Sequence, residues 1–79
     1  MMYTEPLTSL VVFDGVMYDC TASVKKEVAM MVGQARQYEK KKREDIVYSI
    51  NMNILSYLDR ALENGTAAYA GLAIGKEAA

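Results

Sequence analysis

The sequence predicts an α+β domain: an N-terminal β-hairpin followed by one long or kinked helix, or by two helices over about 22–42 and 45–63. Three observations carry this. Leu10-Val11-Val12-Phe13-Asp14-Gly15-Val16-Met17-Tyr18 sets an Asp-Gly pair between two apolar runs, and Asp-Gly suits the two positive-φ positions of a type I′ turn. From Val24 onward apolar residues recur at helical spacing, with no glycine or proline between Gln34 and Asn64. Asn64-Gly65 then closes the helical region, because Gly65 can take the left-handed conformation of a C′ residue.

With Asp14-Gly15 as the turn, Phe13 opposes Val16, Val12 opposes Met17, Val11 opposes Tyr18 and Leu10 opposes Asp19. One face then carries Val11, Phe13, Val16 and Tyr18, and the other Leu10, Val12 and Met17. Both faces are apolar, whereas a half-buried hairpin alternates apolar with polar. The hairpin is therefore expected to lie between its own helix and something else, with both strand edges open to addition from another subunit. On this ground Val12, Phe13 and Met17 are assigned to an oligomer interface.

Thr21 or Ser23 is the expected N-cap of the following helix, since a hydroxyl oxygen there accepts from free N–H groups of the first turn. Val24, Val28, Met31, Ala35 and Tyr38 form a seam at alternating spacings of four and three. Gly33 interrupts nothing in this pattern and is read as tolerated, at a cost of about 1 kcal/mol against alanine. From Asp45 the apolar set changes phase, and Ile46, Val47, Ile50, Ile54, Tyr57, Leu58, Ala61 and Leu62 form a broader arc. One straight helix cannot aim both stripes at one partner, so either the chain bends near 39–45 or a long helix meets different neighbours. Asn51 falls inside the second arc, where an asparagine can fix register, and with Ile54 and Leu58 it completes the expected oligomer interface. Residues 66–79 are rich in glycine and alanine and are read as a flexible tail, or as an arm docking through Tyr69, Leu72 and Ile74.

A chain of 79 residues makes one domain over 1–79, and on folding it removes only about 60 to 65% of its unfolded surface from water. Cys20 is the single cysteine and there is no histidine, so neither an internal disulfide nor a zinc site of sulfur and nitrogen ligands can be built. Apolar residues make up 52% of the chain, an excess that points to burial between subunits. No metal and no cofactor are expected. The segment Met1 to Pro6 has an acidic residue where an export signal is basic, and no stretch approaches the roughly 20 apolar residues of a membrane span. A cytoplasmic protein with no membrane partner is expected, in the host cytoplasm if the gene is viral.

The net charge of −1 hides a basic middle, for residues 24–43 carry seven cations against Glu27 and Glu39. Lys25, Arg36, Lys40 and Arg43 share one helical face, with Tyr38 and Tyr48 near its borders. These residues, Tyr48 included, are the candidate contact surface for an anionic nucleotide or an acidic host protein. Glu39, Glu44 and Asp45 also permit local ion pairs with Arg43, Lys40 and Lys41, which would make the same stripe a solvated face. Nucleic acid is not favoured, because Lys and Arg number 9 against 10 Asp and Glu. Catalysis is not expected either: without histidine a serine or cysteine nucleophile lacks its usual base, and Asp14 and Asp19, which flank the hairpin turn and could bind a divalent ion, are read as turn chemistry because an aspartate precedes glycine there.

The run Val12-Phe13-Asp14-Gly15-Val16-Met17-Tyr18-Asp19-Cys20-Thr21-Ala22-Ser23-Val24, followed by a charged helix, resembles small bacteriophage accessory proteins in which a DGxxY hairpin leads into a helix. The resemblance covers residues 10 to about 45. It implies a protein that disables a host factor, or sequesters a small signal, without catalysis. The expected function is accordingly a homo-oligomeric, non-enzymatic binding protein that inhibits a host defence factor or captures a nucleotide. A structural or assembly protein is the alternative. A ribbon-helix-helix DNA-binding regulator is a third reading, weakened because Leu10-Val11-Val12-Phe13 offers no polar side chain to a base edge.

Overall fold

The structure, a computed structural model, describes residues 5–72. Five elements follow in order: β1 (Ser9–Phe13), β2 (Val16–Cys20), α1 (Ala22–Lys40), α2 (Glu44–Asn64) and β3 (Ala67–Leu72). The α+β class, the hairpin and the helical segments agree with the sequence reading. Phe13 pairs with Val16, Val12 with Met17, Val11 with Tyr18 and Leu10 with Asp19. Asp14 at φ 54° and Gly15 at φ 78° supply the left-handed pair that the turn needs.

Two helices form, not one. α1 ends at Lys40, and the N–H groups of Lys41 and Lys42 donate to the Tyr38 and Glu39 carbonyls while Arg43 N–H also returns to Tyr38. Lys42 adopts φ 58°, so the chain reverses through a left-handed lysine where a glycine would be the easier choice. This reversal accounts for the change of phase between the apolar stripes. In a helical hairpin each stripe faces the partner helix and the sheet from its own side.

The segment expected to be an arm over 66–79 is, over Ala67–Leu72, the third strand of the sheet; Ile74 and the rest of that segment lie outside the described residues. The strand order is β1-β2-β3, so β2 is central and β3 takes up one of the hairpin's two edges. A bulge at Met17/Tyr18 shifts the β2–β3 register, and Gly71 beside it takes φ 128°. Composition does not announce this strand, because Ala-Ala-Tyr-Ala-Gly-Leu is held by the backbone ladder with β2, which alternation of side chains does not report.

Both helices pack on one face of the sheet. Val11, Tyr18 and Cys20 meet Val24 and Val28 of α1, Ile54, Leu58 and Ala61 of α2, and Ala67 of β3. Phe13, Val16, Met31, Ile50 and Tyr57 pack around this centre. The start of α1 is tied twice: Thr21 Oγ1 accepts from Val24 N–H at 3.2 Å, and Ser23 Oγ donates to Glu5 Oε2 at 2.9 Å. Thr21 is thus the N-cap, and its own N–H donates to the Thr66 carbonyl at 3.1 Å, locking the helix start to the entry of β3.

Candidate functional site

A β-strand of five residues is about 17 Å long, whereas a helix of nineteen is about 28 Å. α1 is therefore longer than the strands it packs on, and where it passes β1 the two elements leave a groove of about 310 Å³. Lys25, Val28, Ala29, Val32, Gly33 and Arg36 line it from the helix, and Leu10, Val11 and Val12 from the strand. The helical residues sit at offsets that return to one face every turn, so the floor is apolar and small with a cation toward each end. Gly33 has open space where a Cβ would stand, which keeps this wall of the groove low.

The basic stripe inferred from the sequence is divided by the structure. Lys25 and Arg36 line the groove. Lys40 is exposed at the end of α1, past the groove, and Arg43 is engaged with Asp45, its Nη2 3.4 Å from Oδ2. Hydrogen bonding from Arg43 holds the exposed Asp45 carboxyl below its ordinary range, in the first turn of α2, where a carboxylate also suits the helix dipole. Lys41 instead lies over the Tyr38 ring, Nζ 5.5 Å from its centroid. Tyr48 is exposed on α2 and is not among the residues lining the groove.

The residues assigned to an oligomer interface also part company. Ile54 and Leu58 are fully buried in the chain's own core, and Phe13 is half-buried against it, so these three side chains are already occupied within one chain. The reason is the return of α2 onto the sheet, which the sequence left open. Val12 and Met17 lie with Leu10 on the sheet face that no element among the described residues covers, and Asn51 is half-buried on α2. Cys20 is fully buried, and burial pushes its thiol up from the ordinary value, with the Asp19 carboxylate adding to the rise. Asp14 sits in the turn and Asp19 is exposed on β2; among the described residues no cluster of three or more metal-ligating side chains is gathered.

The groove itself was not legible in the sequence. Its helical half is written in the spacing Lys25, Ala29, Val32, Arg36, but the wall supplied by Leu10 and Val12 depends on where β1 lies beside α1. Comparison with protein-family models, with curated proteins and with solved structures finds no match for this chain.

Proposed function

We propose that this chain is a non-catalytic binding protein that holds an anionic or acidic partner in the groove between α1 and β1. The observation that supports the reading is the placing of Lys25 and Arg36 in one concave, otherwise apolar surface, with no carboxylate among the lining residues. Apolar contacts and charge-assisted hydrogen bonds then act on one ligand together. The resemblance to small phage proteins supplies the mode of action: a host factor is disabled by being held. Titration of labelled protein with poly-L-glutamate, followed by fluorescence anisotropy, tests the reading. Binding is expected at low salt and is expected to be lost in Lys25→Glu/Arg36→Glu, while the melting temperature stays nearly constant because exposed charges contribute about 0 to 1 kcal/mol. Equal binding by parent and double variant, or none by either, overturns it.

A second reading, self-association, has its own support. The two-layer fold leaves Leu10 and Val12 about half exposed on a sheet face that no element among the described residues covers. An apolar face of this kind is the natural meeting surface for a second copy.

A further inference from the structure

We infer that the groove takes its partner as an added strand: an acidic protein segment in extended conformation that pairs with the free edge of β1. This deepens the binding reading and rests on it. In an antiparallel ladder, residues alternate between directing their N–H and C=O toward the neighbouring strand and away from it. The two-residue turn makes Phe13–Val16 a hydrogen-bonded pair, so Val11–Tyr18 and Ser9–Cys20 are hydrogen-bonded too. Leu10 and Val12 therefore aim their backbone groups outward from β1, and both residues line the groove. Among the described residues β1 has β2 on one side and no strand on the other. An extended segment laid there satisfies these outward donors and acceptors and seats alternate side chains against α1.

Charge fixes the class of segment. Lys25 and Arg36 are eleven residues apart on α1, which is roughly 16 Å along the axis. Same-face residues four apart on a strand are about 13 Å apart, and the flexible lysine and arginine stems cover the remainder. The matching pattern is acid, any residue, apolar residue, any residue, acid, with the central apolar side chain over Ala29 and Val32. A second copy of this chain fits poorly at the same edge. Two-fold pairing of β1 with its copy would set α1 against an antiparallel α1, bringing the cations Lys25 and Arg36 of one chain toward those of the other with no carboxylate in the groove to pair them.

The test uses the full chain, uniformly labelled with nitrogen-15, and the probe acetyl-Thr-Glu-Thr-Val-Thr-Glu-Thr-amide at about 1 mM, a concentration suited to weak strand addition. The amide signals of Leu10 and Val12 are expected to shift and to become slower in hydrogen exchange. The same peptide with lysine for glutamate, and the version N-methylated at the alternate backbone nitrogens that face β1, are expected to lose about tenfold or more in affinity, as removal of charge-assisted or backbone hydrogen bonds predicts, while methylation in the opposite phase leaves binding nearly unchanged. Val12→Pro removes one outward N–H at an edge position where proline is tolerated, and is expected to melt cooperatively while losing the peptide. If poly-L-glutamate binds through Lys25 and Arg36 yet N-methylation in both phases and Val12→Pro leave the peptide bound, the strand inference falls and the binding reading stands. If the acidic peptide leaves Leu10 and Val12 unmoved, the inference is overturned. A twofold mass by light scattering that disappears in Val12→Pro would reassign the edge to a second copy.

Discussion

Thr21 and Cys20 show how much two adjacent side chains decide. Thr21 caps α1, lies almost wholly out of solvent and ties the helix start to Thr66, so Thr21→Ala should cost about 1 kcal/mol or somewhat more in a urea melt. Cys20 is buried with its thiol pushed up, as are the Tyr18 and Tyr57 hydroxyls, again chiefly by burial. A group whose folded pKa is raised contributes stability that is complete below its unfolded pKa and is lost as pH rises through the folded value. Stability should therefore be level through neutral pH and fall from about pH 8.5 upward, first through Cys20 and then, near and above pH 10, through the tyrosines. Alkylation of Cys20 by iodoacetamide should be slow in native protein and rapid in urea; fast labelling of native protein would contradict the burial. Lys42 is the opposite case, a side chain held in the left-handed region without visible benefit. Lys42→Gly is expected to raise stability by about 0.5 to 1 kcal/mol, since the relieved strain exceeds the added backbone entropy.

Among the elements, α2 carries the core and β3 carries the closure. Ile54 and Leu58 are the largest fully buried side chains together with Cys20, and they lie between the sheet and α1. Ile54→Ala should cost about 2 to 5 kcal/mol, against a total of about 4 to 12 kcal/mol for a chain of this size. A fall of roughly 8 to 40 °C in the melting temperature, seen by circular dichroism, is the expected result; a shift of only a few degrees would mean that the site collapses around the cavity. The Tyr18 and Tyr69 rings lie 5.6 Å apart at 31°, which joins β3 to the central strand through side chains as well as backbone. Tyr69→Ala should loosen β3 before the rest of the sheet, visible as faster hydrogen exchange at Ala68 than at Val11.

At the scale of the whole molecule the fold is thin and long, with principal extents of 46 × 35 × 16 Å. Its radius of gyration is 13.6 Å, where about 12 Å is usual for a compact chain of this length. The excess comes from a two-layer build among the described residues: helices that outrun short strands, and a sheet with helices on one face. Self-association through the opposite face is the expected outcome, with Val12→Asp/Met17→Lys giving a monomer by light scattering at high micromolar concentration while Ile54 remains buried in each chain. A parent protein that is already monomeric under those conditions would remove the second reading and leave the groove as the working surface.

Short-range physics was legible in the residues. Asp14-Gly15 dictated the turn, the turn dictated the register from Leu10 to Asp19, and the periodicities picked out Val24, Val28, Ile54 and Leu58 as the sides that would be covered. These follow because a turn type and a helical repeat are local, each set by a few neighbouring dihedrals. What covers those sides was a different matter. That Ile54 and Leu58 meet Tyr18 within one chain, that Ala67–Leu72 joins β2, and that Leu10 and Val12 share a groove with Lys25 and Arg36 all depend on the reversal at Lys42. No single residue type announces that reversal. It holds because closing the helical hairpin onto the sheet buries two apolar stripes at once, a gain that exists only when segments distant in sequence are brought together.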